Sequence, residues 1–405
     1  MNVITQNPAK EKIISLLEKN SVTGNDDFRK EAKKAFEELD IPTSRNEDWK
    51  YTKVTKILNE KYENVASTSS ATGGKMKDLD AYSSYKKLSV FSNGIFNPEI
   101  SNFESRISNL NTLPYYSHSK SLFSAINGVH FTDGFQIDSP IKDIAIIHFA
   151  HGNSFSNIRH SLKAKKGTES SIDLYFISDE EINFSNIVVQ CEVEENAHLK
   201  LNIFQNEGAK SSQVNLVHCY QHKNSKFTIH TISTGGNLTR NDLNIIVDGE
   251  NCETVLNGVY LTNENQHIDN HTLVDHRKPH CYSNEKYKGI MNGNSTGVFN
   301  GKVFVRQDAQ KINAFQSNQN ILLSDDATIN TKPELEIYAD DVKCSHGSTT
   351  GQLDEEAMFY LQARGIGKES ARKLLVHAFL NDAVAEIDSE IFKEKVLQVI
   401  NEKLK

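Results

Sequence analysis

From about residue 140 the chain alternates short apolar, β-branched runs with polar turns. Ile144-Ala-Ile-Ile147, Ile172-Asp-Leu-Tyr-Phe-Ile177, Ile187-Val-Val189, Leu199-Lys-Leu-Asn-Ile203, Phe227-Thr-Ile-His-Thr-Ile232, Leu243-Asn-Ile-Ile-Val247 and Val303-Phe-Val305 are each of strand length and composition. A turn recurs before these runs: an acidic residue or Asn, then a small residue, then an alternating strand. It places Ser170, Ala197, Ser225, Cys252 and Ala309 at intervals of 27, 28, 27 and 57 residues, with Cys281 near the skipped position. Ala327 repeats the turn only 18 residues after Ala309. A steady period of this size without a helical pattern predicts a β-solenoid, in which a small residue at a fixed turn lets successive coils stack closely. A large antiparallel sandwich is the alternative, although its loops would have no reason to be so regular.

The flanks read differently. Residues 1–60 form a helical region, with Ile13, Ile14, Leu16 and Leu17 near helical spacing. Phe28, Ala32, Ala35, Phe36 and Leu39 continue the pattern until Pro42 stops it. Residues 61–139 make a linker and a mixed α/β segment. Glu63 to Lys77 has linker composition, and a helix is predicted over Ser119 to Val129. The β-rich core spans 140–351. Residues 352–405 then predict three helices, Leu353 to Gln362, Glu369 to Ala383 and Ile391 to Leu404. Asp354-Glu-Glu suits a helix N-terminus and Gly365 a stop. These helices would also cover the open end of the solenoid.

Charge and cysteine usage narrow the functional classes. A net charge of -8 over 405 residues argues against a general nucleic-acid binder. Lys10, Glu11 and Lys12 fall where a signal peptide needs an apolar stretch, and no apolar run approaches a membrane span. Five widely spaced cysteines without a CxxC fit reduced thiols, and hence a cytoplasmic setting.

Cys344 and His346 are the sharpest chemical pair. On an extended strand, alternate residues share a face, so a thiolate and an imidazole would lie side by side, a donor set suited to iron or zinc. Alone, C-x-H is a weak signal, and two ligands leave a site half built. A second group, His267, His271, His276, His280 and Cys281, matches no zinc-finger spacing and suits stacked hydrogen bonds or a subunit surface. Gly365-Ile-Gly-Lys-Glu-Ser370 is no P-loop, since Gln362 stands where the first glycine belongs. An ordinary helix–helix turn explains it better than a helix-hairpin-helix contact to nucleic acid. The carboxylate pairs Asp325-Asp326 and Asp340-Asp341 read as solvated turns. A β-helix protein that binds or cleaves polysaccharide would instead use such groups in a groove.

The segment Ile321 to Leu361, centred on Lys332-Pro-Glu-Leu-Glu-Ile-Tyr-Ala-Asp-Asp-Val-Lys-Cys-Ser-His346-Gly, closely resembles the SufB/SufD family of iron–sulfur cluster assembly, and its SufD branch in particular. Arg45-Asn-Glu-Asp-Trp-Lys-Tyr-Thr52 resembles the family's N-terminal signature. Gly347 after His346, and Cys344 two residues before it, separate the chain from the SufB branch, which has an acidic residue after the histidine. The resemblance implies a mainly β fold, a right-handed parallel β-helix flanked by helical regions, acting as a non-ATPase scaffold. It implies pairing with SufB through the β-helix, or with a second copy when isolated. It also implies docking of the SufC ATPase on the helices from Leu353 to about Asn381, with Phe359, Tyr360, Arg364, Gly365, Ile366 and Arg372 as candidate contacts. Cys344 and His346 are then the interface residues for iron or a nascent cluster, held transiently and not as a stable cofactor of the isolated chain.

Overall fold

A computed structural model describes residues 10, 27–60, 62, 79–107, 121–131, 133–138 and 140–404. The predicted helix around Ile13 to Leu17 and the Glu63 to Lys77 linker lie outside the described residues. The periodic segment is a parallel β-solenoid, and its chain steps back and forth between two sheets. One sheet runs in the order β2 (Ile95–Phe96), β1 (Lys87–Ser92), β4 (Ile144–Ala150), β6 (Glu169–Ser178), β8 (His198–Asn206), β10 (Lys226–Ser233), β12 (Glu253–Thr262), β14 (Tyr282–Met291), β16 (Ile312–Leu322), β18 (Val342–Gly351). The other runs β3 (Gln136–Ile137), β5 (Ser154–Ala164), β7 (Asn183–Val193), β9 (Ser212–Gln221), β11 (Leu238–Val247), β13 (His267–His276), β15 (Thr296–Val305), β17 (Thr328–Ile337). Register makes the sequence period physical. Lys226 lies beside Glu253, and Glu253 beside Tyr282, so one sequence period is one coil.

The recurring turn has a stereochemical cause. Asn196, Asn224 and Asn251 adopt φ of 58°, 57° and 57°, the left-handed region that Asn tolerates better than most residues. Their amides form a ladder from coil to coil, Asn224 Nδ2 to Asn196 Oδ1 at 3.0 Å and Asn251 Nδ2 to Asn224 Oδ1 at 3.1 Å. The residue after each, Ala197, Ser225 or Cys252, is buried at the corner, where only a small side chain fits. Ala327 is out of phase because it sits at the opposite corner: the next residue, Thr328, pairs with Thr296 of the preceding coil.

Both outer faces of the solenoid are covered for most of its length. Helices α1 (Asp27–Glu38), α2 (Thr55–Asn59) and α3 (Leu122–His130) set Phe36, Ile57 and Phe123 against Phe184, Val188 and Leu216 of the eight-stranded sheet. The C-terminal helices are α4 (Glu355–Ala363), α5 (Lys368–Val384) and α6 (Glu390–Lys403). The predicted cap and stop are present: the Asp354 carboxylate accepts from the N–H groups of Glu356 and Ala357, and Gly365 has φ of 84°. The expectation that these helices close the open end is wrong. Val376, Leu380, Phe392 and Val396 lie instead on Tyr175, Phe204, Ile232 and Val259, across the outer face of the ten-stranded sheet. That face is apolar and needs cover, so the last coil is left bare. Among the described residues no helix is long and apolar enough to cross a membrane.

Burial of histidines gives the fold a pH signature. Inside the first coils His148 is stacked between Phe91 and Phe176, with its Nε2 2.8 Å from that of His160. Burial holds His148 and His160 well below the ordinary histidine range, and brings His218, His230 and His276 down to about 4. All five stay neutral in the fold, whereas in the unfolded chain they protonate below about pH 6.5. Stability from these groups is therefore complete above about pH 6.5 and is lost as pH falls toward about 4. Glu207 and Glu285, pushed up by burial to about 8 and about 7, act in the opposite sense but are outnumbered. Thermal melts are expected to show a midpoint that drops between about pH 6.5 and about pH 4.5. A midpoint flat across that window would contradict the assignment.

Candidate functional site

The solenoid ends on two strands that each have one neighbour. Among the described residues β17 pairs only with β15, and β18 only with β16, so both outer edges present unpaired N–H and C=O groups. Their sequences suit an edge. Pro333, which has no N–H for a ladder, is tolerated at an edge strand, and Lys332, Glu334, Glu336 and Lys343 add charge.

Cys344 and His346 lie on β18, beside Ala314 and Gln316 of β16. Ala314 and Gln316 are buried in the solenoid interior, so alternation turns Cys344 and His346 toward the same inner side, roughly 6.6 Å apart along the strand. Cys344 is half-buried against the last interior residues, and burial pushes its thiol up. His346 is exposed. Facing strands meet at the same mouth, where the Thr331 and Ser348 hydroxyls are 3.0 Å apart. A thiol and an imidazole here can take a soft or borderline metal but cannot complete its coordination. Among the described residues no group of three or more His, Cys, Asp or Glu side chains converges as a metal site. The remaining ligands would have to come from whatever meets the open edges.

The histidine-rich stretch does not gather at one point. His276 turns inward to the Ser283 hydroxyl at 2.9 Å, and Cys281 is buried at a corner, with its thiol 3.2 Å from the Gly249 carbonyl. His267, Asp269 and His271 face outward and receive the N-terminal signature. The Thr52 hydroxyl donates to Asp269 at 2.5 Å and lies 2.8 Å from His267 Nε2, while His271 Nε2 sits 2.9 Å from Asp269 Oδ1. Arg240 joins them: it pairs with Asp269 at 2.7 Å and Asp242 at 2.8 Å, and its guanidinium lies 3.7 Å from the Trp49 ring centroid. Glu47 reaches on to Lys332 of β17 at 2.5 Å. The two segments that resemble the family thus touch in space. Arg240 itself carries no local sequence signal, because its contact with Asp48 and Trp49 spans nearly two hundred residues.

The C-terminal candidates divide. Helix α4 has no buried residue, and Phe359 and Tyr360 are 74% and 55% exposed. Leu374 of α5 adds to the exposed apolar surface, and Arg364 lies over the Tyr360 ring at 4.5 Å. Gly365 forms the exposed turn and Ile366 is half-buried. Arg372 instead turns back to the solenoid, donating to Asn292 at 3.3 Å.

Comparison with known proteins agrees with this architecture. Residues 148–379 match the SufBD core domain of SUF system FeS cluster assembly, and residues 11–79 match the SufBD protein N-terminal region. The chain belongs to the SufB/SufD family of iron–sulfur cluster assembly proteins. Within that family it is SufD-like: it is 28% identical to the iron–sulfur cluster assembly protein SufD of Escherichia coli, over 90% of this chain and 89% of that one. An iron–sulfur cluster assembly SufBD family protein of Synechocystis is 26% identical over 98% and 96%. The chloroplastic protein ABCI7 of Arabidopsis thaliana is 30% identical over 68% and 62%.

Proposed function

We propose that this chain is a non-ATPase scaffold subunit of iron–sulfur cluster assembly, pairing with a SufB-type solenoid through the open edges of β17 and β18. The observation that carries the reading is the bare last coil, which holds Cys344 and His346 where a partner strand must arrive. His346, with Cys344 beside it, holds iron or a nascent cluster as cargo, and the partner supplies the other ligands. The exposed Phe359 and Tyr360 surface docks a SufC-type ATPase. Helix α5 is tied to the solenoid by Lys288–Asp382 at 2.5 Å, and the segment after it by Lys286–Glu386 at 2.8 Å. Movement imposed at the docking surface is thereby passed to the sheet that ends in β18. No phosphate-cradling motif is present in the sequence, so nucleotide hydrolysis falls to the docked subunit.

His346→Ala tests the reading. In a complex reconstituted with SufB and SufC, cluster yield is expected to fall at least about tenfold, the loss that even outer-sphere changes bring at metal sites. His346 is exposed in the isolated chain, so the variant should fold, and co-elution of the three subunits checks that the complex is intact. Unchanged yield in an intact complex overturns the ligand role.

A further inference from the structure

We infer that Cys252 and Cys281 form a binding site for one soft, thiophilic cation of the copper(I) class, held between the two sulfurs in linear two-coordination. The site is separate from the mouth and does not depend on the proposed role of His346.

Its origin is the corner that leads into the ten-stranded sheet. Ala197, Ser225, Cys252 and Cys281 occupy this corner in successive coils, and all are buried. Backbone bonds fix the stack: Glu253 donates its N–H to the Ser225 carbonyl at 3.0 Å, and Tyr282 to the Cys252 carbonyl at 2.9 Å. Ala and Ser fill the same place in neighbouring coils, so packing alone does not call for thiols here. Side chains that point the same way from adjacent strands stand roughly 4.8 Å apart. That is wide for a disulfide, whose Cβ atoms lie about 3.5–4.5 Å apart. It suits two metal–thiolate bonds laid end to end, each about 2.3 Å long.

The surroundings favour a cation. Cys252 Sγ lies 3.0 Å from the His222 carbonyl oxygen and 3.3 Å from that of Gly249. Cys281 Sγ lies 3.2 Å from the same Gly249 oxygen, 3.4 Å from that of Pro279 and 3.5 Å from that of Lys278. One carbonyl is thus shared by both sulfurs, and the others turn their negative ends toward them. Two bare thiolates would be repelled in such a nest, whereas a cation between them is attracted by sulfur and oxygen alike. The Cys281 thiol and the Ser225 hydroxyl bring Cys252 down to about 7, and Cys281 is pushed up in turn by Cys252. The pair therefore gives up its first proton readily and its second with difficulty. Copper(I) replaces that second proton: one thiolate, one thiol and the ion give a bis-thiolate of single negative charge and release one proton. Thiolates select such soft ions over harder ones.

Cys191 and Cys219 supply the contrast. They are register partners too, but Leu162 and Ile245 flank them in their column. Burial pushes both of those thiols up, so they stay protonated. Cys281 is also the easier to reach. The turn above it has Lys278 and His280 exposed, so one layer of backbone separates the sulfurs from solvent.

The test is an oxygen-free titration with copper(I) against a coloured copper(I) chelator. It uses the full-length chain carrying Cys344→Ser, so that the mouth does not compete. One equivalent is expected to bind, and its X-ray absorption should show two sulfur neighbours. Cys252→Ser and Cys281→Ser, added singly, should each lose that equivalent. Both should fold, since Ser225 already fills the corner in the neighbouring coil. Cys191→Ser should keep the ion. No binding in the Cys344→Ser chain, a third sulfur neighbour, an equivalent that survives both Cys252→Ser and Cys281→Ser, or one that Cys191→Ser also abolishes, overturns the inference.

Discussion

Phe359→Asp is expected to abolish capture of a SufC-type ATPase while leaving the fold untouched. Phe359 is 74% exposed on a helix that buries no residue, so it contributes little to the stability of the isolated chain. An aromatic at the centre of an interface is a typical hot spot, and its removal costs ~2–4 kcal/mol, or roughly 30- to 1000-fold in affinity. A carboxylate in its place adds an unpaired charge to the contact. Co-purification and titration calorimetry with the ATPase measure the loss, and a thermal midpoint within a degree or two of wild type shows that the fold is intact. Wild-type affinity in the variant would place the docking surface elsewhere. Cutting the chain after Gly351 is a poorer experiment. It would strip Val376, Leu380, Phe392 and Val396 from Tyr175, Phe204, Ile232 and Val259, and so confuse lost docking with lost packing.

The second large effect is on stability. Arg240→Met is expected to cost ~3–5 kcal/mol, the range seen when one member of a buried ion pair is removed and the other left behind. The guanidinium is 2% exposed. It pairs with Asp269 and Asp242, donates to the Asp48 carbonyl at 2.7 Å and packs on Trp49. Burial alone would raise the Asp269 carboxyl, but His271 and Arg240 together hold it well below the ordinary range. Without Arg240 the carboxylate keeps its burial and loses much of that compensation. The N-terminal signature should loosen first, because Trp49 and Asp48 lose the group they dock on. Urea unfolding monitored by circular dichroism and by Trp49 fluorescence checks both points. A loss below about 1 kcal/mol would mean that the network relaxes around the gap.

Much of this architecture is legible in the sequence, for a physical reason. Stacked coils must repeat their turn chemistry, so the spacing of Ser170, Ala197, Ser225 and Cys252 reports coil length directly. The Ala327 offset carries information too: 18 residues is the step from one corner to the other. The placement of the C-terminal helices is harder to read, although a signal for it is present. Leu174-Tyr-Phe176 is apolar at consecutive positions, so both faces of β6 need cover, and a helix that covers an outer face is not free to cap an end. The candidate pair Cys344 and His346 follows from strand alternation. What lies beneath it does not. Glu285 and Gln316 are unremarkable polar residues in sequence, and only the register of β14, β16 and β18 brings them into one column with His346. Arg240 and Asp269 are hidden likewise, because their shared role needs Trp49 from the far end of the chain.

A stack whose outer faces are covered by helices along most of its length, but whose last coil is bare, has a direction. Opening of such an array is easiest where a repeat has one neighbour, so fraying should start at β18 and move inward. Amide exchange would then be fastest at Val342–Gly351 and slow toward β7 and β9, which are flanked on both sides. A subunit that finds no partner thus keeps its loosest backbone at the strand that bears Cys344 and His346, and there it is open to proteases. Pairing at this edge would quench that fraying, so amide exchange at β18 would report whether a partner is present.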